Sequence, residues 1–194
     1  MDLLRIAALL TPAQCLDWLA QLEQAGAAPA QVLDNHYGGR VAPQMRRAAR
    51  LQAPPPLHAQ AMDLLQSLRP RLQECFDVAL GRCEAAQFLR YETGDFFVAH
   101  QDGNTPLLRD ASLTRRVSVI LLLNAAADAP CDGSYGGGEL LFHPRGGGEP
   151  CREVPAAGSL LAFRAETTHE VLPVVHGRRY SVASWFHGAV VEGA

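Results

Sequence analysis

His100 and Asp102, two positions apart, are followed 67 residues later by His169 and ten after that by Arg179. Brought together, two imidazoles and one carboxylate can bind one face of a divalent ion. The opposite coordination positions stay open, as in a non-haem iron(II) centre. A guanidinium set back from that face suits a co-substrate with an acid at each end, because its planar fork accepts both oxygens of a carboxylate.

Side chains on an extended strand alternate between faces, so His100 and Asp102 point the same way if residues 98–102 are extended. The lead-in Phe96-Phe97-Val98-Ala99 reads as a strand running into the pair, ended by Gly103 and Asn104. The pair alone is a weak signal in a chain with seven histidines, because such pairs are common on solvated surfaces. His36, His58, His143, His176 and His187 carry no assigned role.

The C-terminal half adds weight. Pro155 to Phe163 reads as a turn feeding a buried strand, followed by Thr168-His169-Glu170-Val171 and Gly177-Arg178-Arg179-Tyr180-Ser181. On a strand Arg179 and Ser181 share one face, opposite Tyr180 and Val182. The Ser181 hydroxyl adds a donor beside the guanidinium, and each charge-assisted bond contributes about 1.5–3 kcal/mol. Arg178 reads as the solvated neighbour. Trp185 falls on the Arg179 face if the strand is regular, either as a pocket wall or as a core tryptophan.

The elements that must position these residues divide the chain in two. Residues 1–85 read as a helical support region and 86–194 as a β core, together one compact domain. Thr11-Pro12-Ala13-Gln14 offers a cap, a proline at the first helical position and a glutamine that completes a capping box. Cys15, Leu16, Trp18, Leu19 and Leu22 recur at helical spacing until Gly26. Residues 27–56 have no clean period and read as loop and short strand. A second helix carries Leu57, Ala61, Leu64, Leu65 and Leu68, and Pro70 kinks it or starts another bearing Leu72, Phe76 and Leu80. From Ala86 the pattern is short strands between turn signals: 87–91, 96–100, 116–123, 139–143, 159–163, 169–171 and 180–186. That pattern predicts a jelly roll or sandwich. The loops 103–114 and 125–138 flank the expected site, either as clamps or as surface connections. Gly136-Gly137-Gly138 precedes a strand, so it reads as a turn rather than a phosphate cradle.

Composition narrows the function classes. With 48% hydrophobic residues, 19% charged residues and a net charge of −3, the chain can fill a core but offers no broad basic face for nucleic acid. The five cysteines (Cys15, Cys75, Cys83, Cys131 and Cys151) include no C-x-x-C pair, which suggests a reducing cytoplasm. The first residues do not read as a signal peptide, and the longest apolar run is too short to span a bilayer, so no membrane partner is expected.

From about Phe88 to Phe186 the sequence resembles the 2-oxoglutarate- and iron(II)-dependent dioxygenases, specifically the prolyl 4-hydroxylase-like family. The likeness rests on Tyr91-x-x-Gly94, His100-x-Asp102, Arg115 to Asn124 and Gly137-Gly138-Glu139-Leu140. It continues through Pro155 to Phe163, His169 with Pro173-Val174, and Gly177-x-Arg179-Tyr180-Ser181. The resemblance implies a mainly β fold with N-terminal helices, a double-stranded β-helix (jelly roll, cupin-like). It implies that His100, Asp102 and His169 hold Fe(II) and that Arg179 pairs with the far carboxylate of 2-oxoglutarate. Tyr91 would hydrogen-bond that co-substrate and Ser181 would assist Arg179. Leu122 departs from the family, where many members carry a tyrosine that reaches the co-substrate. Arg179 stands where the collagen-type enzymes usually have lysine, so a collagen substrate does not transfer.

The implied reaction consumes O2, releases succinate and CO2 and hydroxylates an aliphatic C–H bond, with ascorbate as an optional accessory. A prolyl residue in a protein or peptide is the favoured target. A free amino acid or other small molecule, or a non-catalytic jelly roll used for binding, are the alternatives. A metal-dependent hydrolase is disfavoured because no H-E-x-x-H occurs. Oligomeric state is not legible.

Overall fold

The computed structural model describes residues 2–34, 38–105 and 111–189. Helix α1 spans Pro12–Glu23 and opens with the expected capping box, the Thr11 side chain accepting from the Gln14 backbone and Gln14 answering the Thr11 N–H. Helix α2 (Pro55–Ser67) and helix α3 (Arg69–Phe76) meet at Leu68, and Pro70 sits in the first turn of α3, where its missing N–H costs no hydrogen bond. The last helix ends earlier than the apolar period suggests. Asp77 turns left-handed at φ 46°, and Leu80 begins a strand, Leu80–Cys83, instead of extending the helix. No helix among the described residues is long and apolar enough to cross a membrane.

Among the described residues, eight strands form the larger sheet. Its order runs Leu3–Ile6, Leu160–Arg164, Arg115–Leu122, Arg179–Gly188, Gln87–Tyr91, Ala49–Leu51 and Ala27–Pro29, with Leu80–Cys83 pairing the far end of Arg179–Gly188. Five strands form the smaller sheet: Cys151–Glu153, Leu140–His143, Thr168–Val171, Phe96–His100 and Arg46–Arg47. The pairings in both sheets are antiparallel. This is the double-stranded β-helix, with helices laid on one side. Strands from the N-terminal third complete both sheets, so that region does more than supply helices.

Alternation along the strands sorts the core into two layers. Val117, Val119, Leu121, Tyr180, Val182 and Phe186 pack with Trp18, Leu22, Leu57, Leu65, Leu72 and Phe76 of the helices. The opposite face of the same sheet presents Leu89, Tyr91, Leu161, Phe163, Ala183 and Trp185, which pack with Leu140, Phe142, Val171 and Val174. The candidate site residues lie between the two sheets. Of the two expected loops, residues 106–110 of the first lie outside the described residues. Part of the second is a short strand, Tyr135–Gly137, paired with Val174–Gly177.

Candidate metal and co-substrate centre

His100 is the last residue of its strand and lies opposite His169 in the antiparallel register. The two rings are 4.3 Å apart between centroids. Asp102 lies beyond the strand, contrary to the expectation that extension runs through residue 102. Its backbone N–H donates to the Ala165 carbonyl at 2.9 Å, and that bond turns its carboxylate back towards the histidines. Asp102 Oδ1 is 3.5 Å from His100 Nε2 and Oδ2 is 3.7 Å from His169 Nε2. One ligand atom from each of the three residues falls within 4.8 Å of the others.

The protonation pattern suits a cation. His100 Nδ1 is 2.8 Å from the Val98 carbonyl and His169 Nδ1 is 3.1 Å from that of Thr167. Each Nδ1–H therefore donates to a carbonyl, which leaves both Nε2 lone pairs turned inward. Burial, aided by neighbouring His100 and opposed by Asp102, lowers the His169 pKa to about 4, so the ring is neutral at ordinary pH. For Asp102, burial acts to raise the carboxyl pKa. The two neighbouring imidazoles and the Ser118 hydroxyl outweigh it and hold the carboxyl well below the usual range. Two imidazoles and a carboxylate are the donor set that fits a divalent first-row metal.

Arg179 lies on the neighbouring sheet, 1% exposed. Its Nη1 donates to the Ser181 hydroxyl at 3.1 Å, and its Nε is buried without a partner. Tyr91, directly opposite in register, places its ring 5.4 Å from the guanidinium carbon. Arg178 is exposed, as its solvated reading requires. Tyr135, which sequence reasoning misses, also packs on Arg179, with its ring 6.0 Å away. Gly138 admits the Arg179 stem: its φ is +64°, and a Cβ there would stand 2.9 Å from Arg179 Cδ. His100, Asp102, His169, Arg179, Tyr91, Ser181 and Trp185 all line one cavity of about 610 Å³.

Behind Asp102 stands a second polar layer. The Ser118 hydroxyl donates to Asp102 Oδ2 at 2.6 Å. Arg115 Nη1 donates to the Asp102 carbonyl at 2.9 Å, while its Nε and Nη2 grip Glu84 at 2.7 and 2.8 Å. His187 contacts the same Glu84 carboxylate at 2.8 Å. Trp185 is 8% exposed and carries the Arg115 guanidinium 4.0 Å above its ring, so the tryptophan joins the cavity wall to this layer. The sequence carries one signal for it: Ser118 is a hydroxyl set within the apolar run Val117 to Leu122. Glu84 and His187 give none, because their meeting depends on pairing across 103 residues.

A sequence profile of the 2OG-Fe(II) oxygenase superfamily matches residues 86–187, more than half of the chain. The chain belongs to that superfamily. Among curated oxygenase relatives, a PKHD-type hydroxylase of Synechococcus sp. (strain JA-2-3B'a(2-13)) is 34% identical over 100 residues, 52% of this chain and 41% of the relative. The chain thus matches less than half the length of that protein. A PKHD-type hydroxylase of Burkholderia ambifaria (strain MC40-6) is 28% identical over 194 residues, 99% of this chain and 81% of the relative. Two solved oxygenase structures share the fold. A Pseudomonas putida prolyl-4-hydroxylase superposes with TM-score 0.67 at 24% identity, covering 97% of this chain and 93% of its own. The viral collagen prolyl hydroxylase of Paramecium Bursaria Chlorella virus-1, in its 2OG complex, gives 0.70 at 21% identity and covers 97% of each chain.

Proposed function

We propose that this protein is a 2-oxoglutarate- and Fe(II)-dependent dioxygenase that hydroxylates an aliphatic C–H bond, with a prolyl residue of a protein or peptide as the favoured target. One observation carries the reading: a buried guanidinium with a free Nε shares a cavity with two imidazoles and a carboxylate disposed for one cation. Superfamily membership and the prolyl hydroxylase names among relatives support it.

In this reading His100, Asp102 and His169 hold Fe(II) through Nε2, a carboxylate oxygen and Nε2. The bound iron and 2-oxoglutarate together supply the oxidising power for the reaction with O2, leaving succinate and CO2 as by-products. The chain's own task is placement. Arg179 offers its Nε edge to the far carboxylate of the co-substrate, with Ser181 fixing the guanidinium and Tyr91 and Tyr135 walling its stem. Leu122 is fully buried and is not among the residues that line the cavity. Trp185 and Leu89 contribute apolar surface to the cavity wall.

The test is anaerobic addition of Fe(II) and 2-oxoglutarate, watched for a weak visible charge-transfer band, followed by succinate assay under O2. Native protein gives both signals, and His169→Ala gives neither. An intact band and unchanged turnover in that variant would remove His169 from the ligand set. Mass spectrometry of proline-containing peptides against free proline then separates the favoured target from a small-molecule one: a +16 Da product from free proline alone overturns the peptide assignment.

A further inference from the structure

Arg46 closes the cavity on the side of the smaller sheet and is 8% exposed. Its Nη1 donates to the Gln31 carbonyl at 2.9 Å. Its guanidinium carbon lies 4.7 Å over the Phe97 ring, which in turn stacks on His100 at 3.5 Å. Two contacts in series thus separate Arg46 from the metal-facing imidazole. Its Nε is buried with no hydrogen-bond partner, and no carboxylate among the described residues pairs with it.

The same protein shows once what such an edge is for. Arg115 grips Glu84 through Nε and Nη2 together. Arg179, with Nη1 tethered to Ser181 and Nε unpartnered, also lines the cavity. Arg46 repeats the Arg179 pattern at the other end. Burying a guanidinium without a counter-charge is costly, and an anion brought to it would offset that cost.

The charge inventory of the cavity points to an external anion. Arg115 is neutralised by Glu84. A divalent cation, the Asp102 carboxylate, a doubly charged 2-oxoglutarate and Arg179 cancel among themselves. Among the described residues Arg46 is left over, with exposed Arg50 also on the cavity lining.

Resting on the oxygenase reading above, we infer that the substrate hydroxylated here carries a carboxylate, and that Arg46 receives it through its guanidinium. A planar fork favours a planar, two-oxygen acceptor. The carboxylate is either an aspartyl or glutamyl side chain near the target residue of a peptide, or the α-carboxylate of a free amino acid.

The test uses the protein loaded with Mn(II) and saturating 2-oxoglutarate, so that the Arg179 site is filled. Calorimetric titrations compare acids with their amides in two arms. The first arm uses capped proline peptides with Asp or Glu against Asn or Gln at the flanking positions. The second uses free proline, N-acetylproline and glutamate against their carboxamides. In at least one arm the acid should bind at least tenfold more tightly than its amide, and the arm identifies the source of the carboxylate. Arg46→Gln should abolish that preference, and Arg46→Lys, which keeps the charge but loses the fork, should retain part of it. The Fe(II)–2-oxoglutarate absorption band should be unchanged in both variants, which also reports that they fold. Equal binding of acids and amides by the native protein, or a preference that survives Arg46→Gln, overturns the inference. Absence of the band in native protein would instead overturn the oxygenase reading itself.

Discussion

The Ser118 hydroxyl donates to Asp102 Oδ2 at 2.6 Å from the neighbouring sheet, so one carboxylate oxygen is oriented by a residue that touches no metal. Ser118 is 1% exposed and has no competing solvent. Groups that orient a ligand from behind typically change metal affinity by about 10–100-fold when removed. Ser118→Ala is therefore expected to weaken Fe(II) or Co(II) binding by roughly that factor while leaving the circular dichroism spectrum native. An unchanged metal titration would show that Asp102 is held by its backbone alone.

Glu84 joins Arg115 and His187 in one cluster, and its pKa is held below the ordinary carboxyl value. Burial works against that shift, and the Arg115 hydrogen bonds and charge outweigh it. Glu84→Gln leaves the Arg115 guanidinium, 8% exposed, beside Trp185 without its counter-charge. Breaking a buried pair from one side costs about 3–5 kcal/mol, and the lower end applies because the Glu84 side chain is one-fifth exposed. Urea unfolding should show a lower midpoint with an unchanged slope.

Gly138 is the residue that admits Arg179. A methyl group there meets both a left-handed backbone and the Arg179 Cδ at 2.9 Å. Gly138→Ala should displace the guanidinium and raise the 2-oxoglutarate concentration needed for half-maximal turnover at least tenfold, with metal affinity untouched. Arg179→Ala should have the same sign and a larger effect. A Gly138→Ala protein with native 2-oxoglutarate affinity would mean that the strand can yield.

Acid should destabilise the metal-free protein through His169. Its folded pKa of about 4 lies below the ordinary value of 6.5, so the unfolded chain takes up a proton that the folded chain refuses. The contribution is complete above pH 6.5 and is lost as pH falls through the window down to about 4. Thermal melting in chelator across that range should show a falling midpoint, and His169→Gln should flatten this part of the slope. A slope unaltered by the substitution would place the acid sensitivity elsewhere.

The inner face of Arg179–Gly188 is almost completely legible in the sequence, because period-two alternation fixes which side chains share a face. Arg179, Ser181 and Trp185 group together on that basis alone. His100 and His169 are legible as motifs, while their adjacency comes from an antiparallel register that no local pattern encodes. The strand Leu3–Ile6 carries no sequence signal for the same reason: four residues without turn signals gain their conformation from pairing with residues 160–163. Asp102 reaches the expected place by another route, through a backbone bond to Ala165 instead of strand geometry. Arg46 reads as one more arginine in an aperiodic stretch. Its burial depends on Phe97 and Gln31 closing around it, and only the folded chain brings them there.

Each imidazole is braced by a carbonyl two residues upstream, so the three donors stand ready before any ion arrives. Loading then demands no refolding, and a rigid trio of nitrogen and oxygen donors has little means of rejecting ions of similar size. Copper and zinc rank above iron in intrinsic preference for such donors. Protein recovered from cells should consequently carry whichever of these the growth medium supplied, and stripping followed by anaerobic reconstitution becomes a prerequisite for measuring its true rate.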